Sequence, residues 1–139
     1  MTESLDKKND TPAYLCGRLL ALLDSVHWTA HKGQTNVTPA DRYYGSASAT
    51  PALVFPMLCK MARYHLAKID ASGLKRHYER AVANLVAQLA EASEGAFPRH
   101  LGLEDQGRFA IGFYHEKAQH MGGNRKEVVG LEDKGEAKV

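Results

Sequence analysis

The sequence predicts an all-α fold, a compact helical bundle of four main helices plus a short one. Three observations predict it. Apolar residues recur at three- and four-residue spacing through most of the chain. Three Thr-Pro pairs, Thr11-Pro12, Thr38-Pro39 and Thr50-Pro51, each set a hydroxyl residue ahead of a proline suited to a first helical turn. No window alternates with period two and β-branched enrichment, so no strand is predicted. The 139 residues suit one domain, with no internal repeat. The expected division is a flexible leader over 1–10, a helical domain over 11–121 and a disordered polar tail over 122–139.

The first helix starts at Thr11-Pro12 and runs to about Ala30, its apolar stripe set by Leu15, Leu19, Leu22, Leu23 and Val26. Ala13, Gly17 and Ala21 put small residues on one face. A glycine inside a helix costs ~1 kcal/mol relative to alanine, so Gly17 implies close approach of another backbone. Gly33 and Asn36 mark a loop. A short helix follows Thr38-Pro39 through Tyr43 and Tyr44, with Gly45 as its expected stop. Thr50-Pro51 caps and opens a third helix, which Pro56 is expected to kink or split. Its stripe is Leu58, Met61, His65 and Ile69. Ser72-Gly73 breaks the chain. Leu74, Tyr78, Ala81, Val82, Leu85, Val86, Leu89 and Ala92 then form the clearest amphipathic helix. Gly95 ends it, and Pro98 blocks continuation. Glu104-Asp105 suits the first turn of a last helix through Ala110, Phe113, Tyr114 and Lys117, with Met121-Gly-Gly-Asn as its expected end.

Net charge is +2, but residues 42–80 hold seven basic side chains against two acidic ones, while the last thirteen residues are acid-rich. A basic middle suits a polyanionic partner. Nothing approaches ~18 consecutive apolar residues, so no membrane span is expected. The polar, mixed-charge start is not a secretory signal. Two well-separated cysteines, Cys16 and Cys59, read as buried thiols of a cytoplasmic protein, with a disulfide or a reactive thiol as the alternatives.

Several constellations carry candidate chemistry. His27 and His31 are four residues apart, as a helical metal pair requires, but the Glu of an H-E-x-x-H motif is missing and no third ligand stands at ligand spacing. No metal, cofactor or catalytic residue is assigned. Gly45-Ser-Ala-Ser-Ala-Thr50 lacks both the G-K-S/T ending of a phosphate loop and the second glycine of a nucleophile elbow. Tyr43 and Tyr44 beside Arg42 either stack on bases or pack in the core. The residues assigned to sequence-independent contact with a nucleic-acid backbone are Arg42, Lys60, Arg63, Lys75, Arg76 and Arg80, with Arg108 as a further candidate.

Two runs go beyond generic helix packing. Asp41-Arg-Tyr-Tyr-Gly-Ser-Ala-Ser-Ala-Thr-Pro-Ala-Leu-Val-Phe-Pro56 resembles a run near the C-terminus of the type I-C CRISPR large subunit family. Phe97-Pro-Arg-His-Leu-Gly-Leu-Glu-Asp-Gln-Gly-Arg-Phe-Ala-Ile-Gly-Phe-Tyr-His115 resembles a second run of that family. Ala13-Tyr-Leu-Cys-Gly-Arg-Leu-Leu fits as well, and the resemblance spans about Pro12 to Gln119. Gly102 stands where a small hydroxyl cap is usual, a mild change because glycine also caps. The family's full-length member is several times longer. The resemblance therefore implies the small subunit made from an internal start within the large-subunit gene. Such a subunit is non-catalytic and forms the belly of the crRNA-guided complex. Its implied partners are the repeated backbone subunits, the large subunit, a second copy of itself, the crRNA–DNA hybrid and the displaced non-target strand. The alternative is a helical scaffold that bridges subunits without touching nucleic acid.

Overall fold

The computed structural model describes residues 11–136, with side chains as far as His120. The elements are α1 (Pro12–Ala30), α2 (Pro39–Ala49), α3 (Pro51–Ala67), α4 (Ser72–Ala92) and α5 (Leu103–Glu136). The described chain is helical throughout, joined by short loops, as expected. The expected leader over 1–10 lies outside the described residues, as do the side chains on which the expected tail over 122–139 falls.

Helix α1 is the hub. Ala13 to Gly17, Leu19 to Leu23, Val26 and Ala30 are buried, so α1 is apolar around most of its circumference and packs against all four other helices. The others surround it in the order α5, α2, α3, α4, each touching the next. From α4, the expected seam supplies Tyr78, Leu85 and Leu89 to the core. From α3 come Val54, Phe55, Leu58, Ala62 and Leu66.

The closest contact is between α1 and α5. A Cβ placed on Gly17 would sit 2.8 Å from the Phe113 amide nitrogen and 2.9 Å from the Phe109 carbonyl carbon. A Cβ on Gly112 would sit 2.9 Å from the Tyr14 carbonyl carbon. Each helix thus rests its backbone on a glycine of the other, the approach that Gly17 implied. Polar groups lock the same crossing. Arg18 Nε donates to Glu116 Oε1 at 2.9 Å, and His120 Nε2 donates to Glu116 Oε2 at 2.6 Å. Burial alone would raise the Glu116 carboxyl. The hydrogen bonds and charges of His120 and Arg18 outweigh it and hold the group below its ordinary 4.5. Tyr14 Oη and His115 Nδ1 share a 2.9 Å hydrogen bond one turn away.

Helix starts and stops follow local chemistry, with some corrections. Thr38 and Asp41 form a capping box: Asp41 N donates to Thr38 Oγ1 at 3.2 Å, and Thr38 N to Asp41 Oδ2 at 3.0 Å. Asp24 of α1 accepts from Ala40 N at 2.8 Å, placing a carboxylate at the start of α2. Gly45 does not stop α2, which runs to Ala49 because Ser46 to Ala49 are helix-compatible. The stop is Thr50, which Pro51 pushes out of the α region to φ −135°, ψ 71°. Thr50 does not cap α3 with its side chain; its hydroxyl donates back to Ser46 O. Pro56 lies within α3 and does not split it. Helix α4 begins at Ser72, directly after the extended Ala71. Helix α5 is not closed at Met121-Gly-Gly-Asn: glycine in a helix interior costs only ~1 kcal/mol and no proline follows. Helices α1 and α4 end alike, with left-handed pairs Lys32-Gly33 and Glu94-Gly95, and each glycine N–H reaches the carbonyl five residues back.

Two predictions follow from the α1–α5 crossing. Gly112→Ala forces the helices apart and lowers stability by about 1–3 kcal/mol. Gly107→Ala, on the same helix but with nothing within 4 Å, raises it by up to ~1 kcal/mol. Urea unfolding of both variants checks the pair. Glu116 is depressed, so its contribution is present above pH 4.5 and is lost as pH falls through the lower folded value. Glu116→Gln therefore lowers stability at pH 7 and narrows its gap to the parent chain below pH 4.5, read from melting temperature against pH.

Candidate nucleic-acid interface

The residues predicted to meet a backbone fall on four helices around α1. Arg42 is exposed on α2, Lys60 and Arg63 on α3, and Arg76 and Arg80 on α4; Lys75 of α4 is half-buried. Residues three or four apart share a helix face, so Lys60 pairs with Arg63 and Arg76 with Arg80. Both pairs point away from the side that packs on α1. Helix α4 leans mainly on α1 and touches α3 only slightly. Arg108 differs from the rest. Its guanidinium donates to Asp105 Oδ1 at 2.6 Å and to Glu104 Oε2 at 3.2 Å, so its charge is matched within its own helix.

The exposed face of α3 holds more than cations. Leu53, Met57, Lys60 and Tyr64 follow at spacings of four, three and four, and so lie on one stripe. Leu53 is 78 % and Tyr64 65 % exposed, with Arg63 beside them. An aromatic ring set among basic side chains is the arrangement that single-stranded nucleic acid uses, stacking on the ring and pairing phosphates with the cations. Sequence reasoning missed Tyr64 and named Tyr43 and Tyr44 instead. The latter two are half-buried, and Tyr44 meets Phe109 and Phe113 edge-on at 5.4 and 5.1 Å. The stripe was there to be counted in the spacing of Leu53, Met57, Lys60 and Tyr64.

The two long sequence runs lie against each other. Ala52 N donates to Pro98 O and Leu101 N to Ala49 O, each at 2.9 Å, so the segment before α5 is bonded to the corner between α2 and α3. Phe55 stacks on Phe97 at 5.2 Å and 14°. The Gln106 amide donates to Leu101 O at 2.9 Å, and Gly102 O accepts the N–H of Gln106 at the first turn of α5. Asp41 caps α2. These residues are occupied in building the fold.

The family model for the CRISPR-associated protein Cas_Csd1 matches residues 1–121. The chain belongs to the Cas_Csd1 family. It is thus a CRISPR-associated protein, and the family supports a component of a Cascade complex. No curated protein matches the chain. Within this family member, the paired runs that carried the resemblance are the clamp between the α2–α3 corner and α5.

Both cysteines are free, Cys16 buried and Cys59 half-buried. Burial pushes the Cys16 thiol up to about 12, with Cys59 adding to it. Burial pushes Cys59 up to about 11 against the opposing charge of Arg63. Neither has the lowered value of a reactive thiol. Among the described residues, no helix is long and apolar enough to cross a membrane.

A second cluster forms where the ends of α1 and α3 meet. His65, unpaired in the sequence, lies against His27 and His31, with ring centroids 4.6 Å and 5.4 Å away. Burial, then the neighbouring imidazoles and Lys68, pushes His65 down to about 4. Burial, then His31, lowers His27, with Asp24 opposing. Nothing in the sequence placed His65 here, because the meeting depends on how α3 docks on α1.

Proposed function

We propose that this chain is the non-catalytic small subunit of a type I-C crRNA-guided complex, and that it holds the displaced non-target strand of opened DNA beside the crRNA–DNA hybrid. The observation that carries this reading is the exposed face of α3, where Tyr64 stands among Lys60 and Arg63. Arg76 and Arg80 add cations on the neighbouring helix, and Arg42 on α2. Lys75 contributes from a half-buried position. Arg108, already matched by Glu104 and Asp105, contributes least.

Base pairing with the crRNA reads sequence, so such a subunit needs only to track charge and offer a stacking surface. Each neutralised phosphate releases counterions and makes binding weaken as salt rises. Stacking on Tyr64 adds about 1–3 kcal/mol per base and tolerates any base. The reading gives the chain no catalytic step. Its partners are the repeated backbone subunits, the large subunit and a second copy of itself, in the cytoplasm.

A specific observation favours the scaffold reading too. Leu103, Ile111 and Tyr114 of α5 are 86 %, 52 % and 55 % exposed and, with Gly107, share one stripe. An apolar stripe of this kind favours protein contact over nucleic acid.

The test is a type I-C complex assembled with the parent chain, without it, and with Lys60, Arg63, Arg76 and Arg80 all changed to Ala. Target-DNA affinity and strand opening are measured over a range of salt. The expected result is that the quadruple variant still incorporates, loses opened-strand retention evenly across target sequences, and reduces the salt slope, while Arg108→Ala changes little. Unaltered affinity and slope in a complex that contains the variant would leave the scaffold reading standing.

A further inference from the structure

His27 and His31 lie in the last turn of α1 and at its end, and His65 lies in the last turn of α3. The His27 and His31 ring centroids are 4.2 Å apart. One ring nitrogen from each of the three residues falls within 4.8 Å of the other two, and all three rings are half-buried. The remaining histidines sit elsewhere: His115 is bonded to Tyr14 and His120 to Glu116, while His77 and His100 are exposed.

The hydrogen bonds around the cluster set two of the tautomers. Thr35 Oγ1 donates its one hydrogen to Val37 O at 3.2 Å. Its 3.1 Å contact with His27 Nε2 is therefore donated by the imidazole, which leaves His27 Nδ1 as a bare lone pair. That atom is buried and has no hydrogen-bond partner. A buried acceptor left unmet is costly and asks for an explanation. His31 Nδ1 donates to His27 O at 2.9 Å, which leaves His31 Nε2 with its lone pair. The His27 and His31 rings thus each spend their N–H on a protein oxygen and keep the other nitrogen available, the arrangement that orients metal-ligating histidines.

We propose that His27, His31 and His65 bind a divalent first-row transition ion, zinc foremost, with a fourth position open to water. Three imidazoles are a recurrent zinc ligand set, and imidazole suits this class of ion better than magnesium or calcium. Tetrahedral Zn–N bonds of ~2.0–2.1 Å place ligand nitrogens about 3.4 Å apart, so the rings close by roughly 1 Å through side-chain rotation. Asp24 lies close enough to favour a cation at His27, and Lys68 opposes it. The ion ties the end of α1 to the end of α3 across the intervening loop and α2. This site stands independently of the DNA-holding role.

The experiment uses the full chain without a histidine tag, stripped with chelator and titrated with zinc against a chromophoric competitor. The expected result is one equivalent bound. At a hundredfold excess over the dissociation constant, the melting temperature rises by roughly 10 °C. His65→Gln and His31→Gln each weaken zinc binding at least about tenfold, whereas His77→Gln and His100→Gln leave it unchanged. Cobalt substitution of the parent chain gives the visible bands of a four-coordinate nitrogen and oxygen site. If a variant proves unfolded before metal is added, the cobalt spectrum decides. Absence of those bands overturns the proposal, as does zinc binding that is no tighter in the parent chain than in a folded His65→Gln or His31→Gln variant.

Discussion

How closely α1 and α5 approach sets the rest of this structure. Gly17 and Gly112 each let the opposing backbone come nearer than any side chain would permit. That approach brings Arg18 within reach of Glu116, and Tyr14 within reach of His115. With α5 seated there, Phe109 and Phe113 form the wall on which Tyr44 of α2 packs. The ion pair by itself is weak evidence of stability, since desolvating both partners offsets much of their attraction. Its value is registry: an unmatched Glu116 or Arg18 would be left buried if the helices slid.

The family signature takes on a physical meaning in this frame. The runs 41–56 and 97–115 meet through two backbone hydrogen bonds, a stacked aromatic pair and the Tyr44 ring against Phe109 and Phe113, while the Gln106 amide ties down Leu101 within the second run. They hold the α2–α3 corner against the start of α5. Asp41, Tyr44 and Gln106 thus serve the fold, and the side chains left to meet a partner are the exposed ones, on the outer faces of α2, α3, α4 and α5.

Helical content, order and most of the core were legible because they rest on local periodicity and on Thr-Pro and glycine signals. The α4 seam and the meaning of Gly17 came from spacing and propensity alone. The errors lay where a local rule met a competing one. Gly45 is permissive and does not end a helix when the next residues can continue it. Thr50 was read as a cap, but its hydroxyl found a nearer carbonyl in Ser46. The candidate site was legible as a set of basic residues but not as a surface. Whether Arg108 is already matched, and whether Tyr44 or Tyr64 is the exposed ring, depends on rotamers and docking that no linear pattern contains. The His27–His31–His65 cluster was least legible, since its third member arrives from another helix.

A strand-holding role for the α3 face makes a geometric claim that can be measured in place. A photo-crosslinking residue is introduced at Tyr64, and separately at Tyr114, in the assembled complex bound to opened target DNA. The account predicts crosslinks from position 64 to the displaced strand and from position 114 to protein. Crosslinks from position 64 to protein alone would contradict it and make the α3 face a subunit contact.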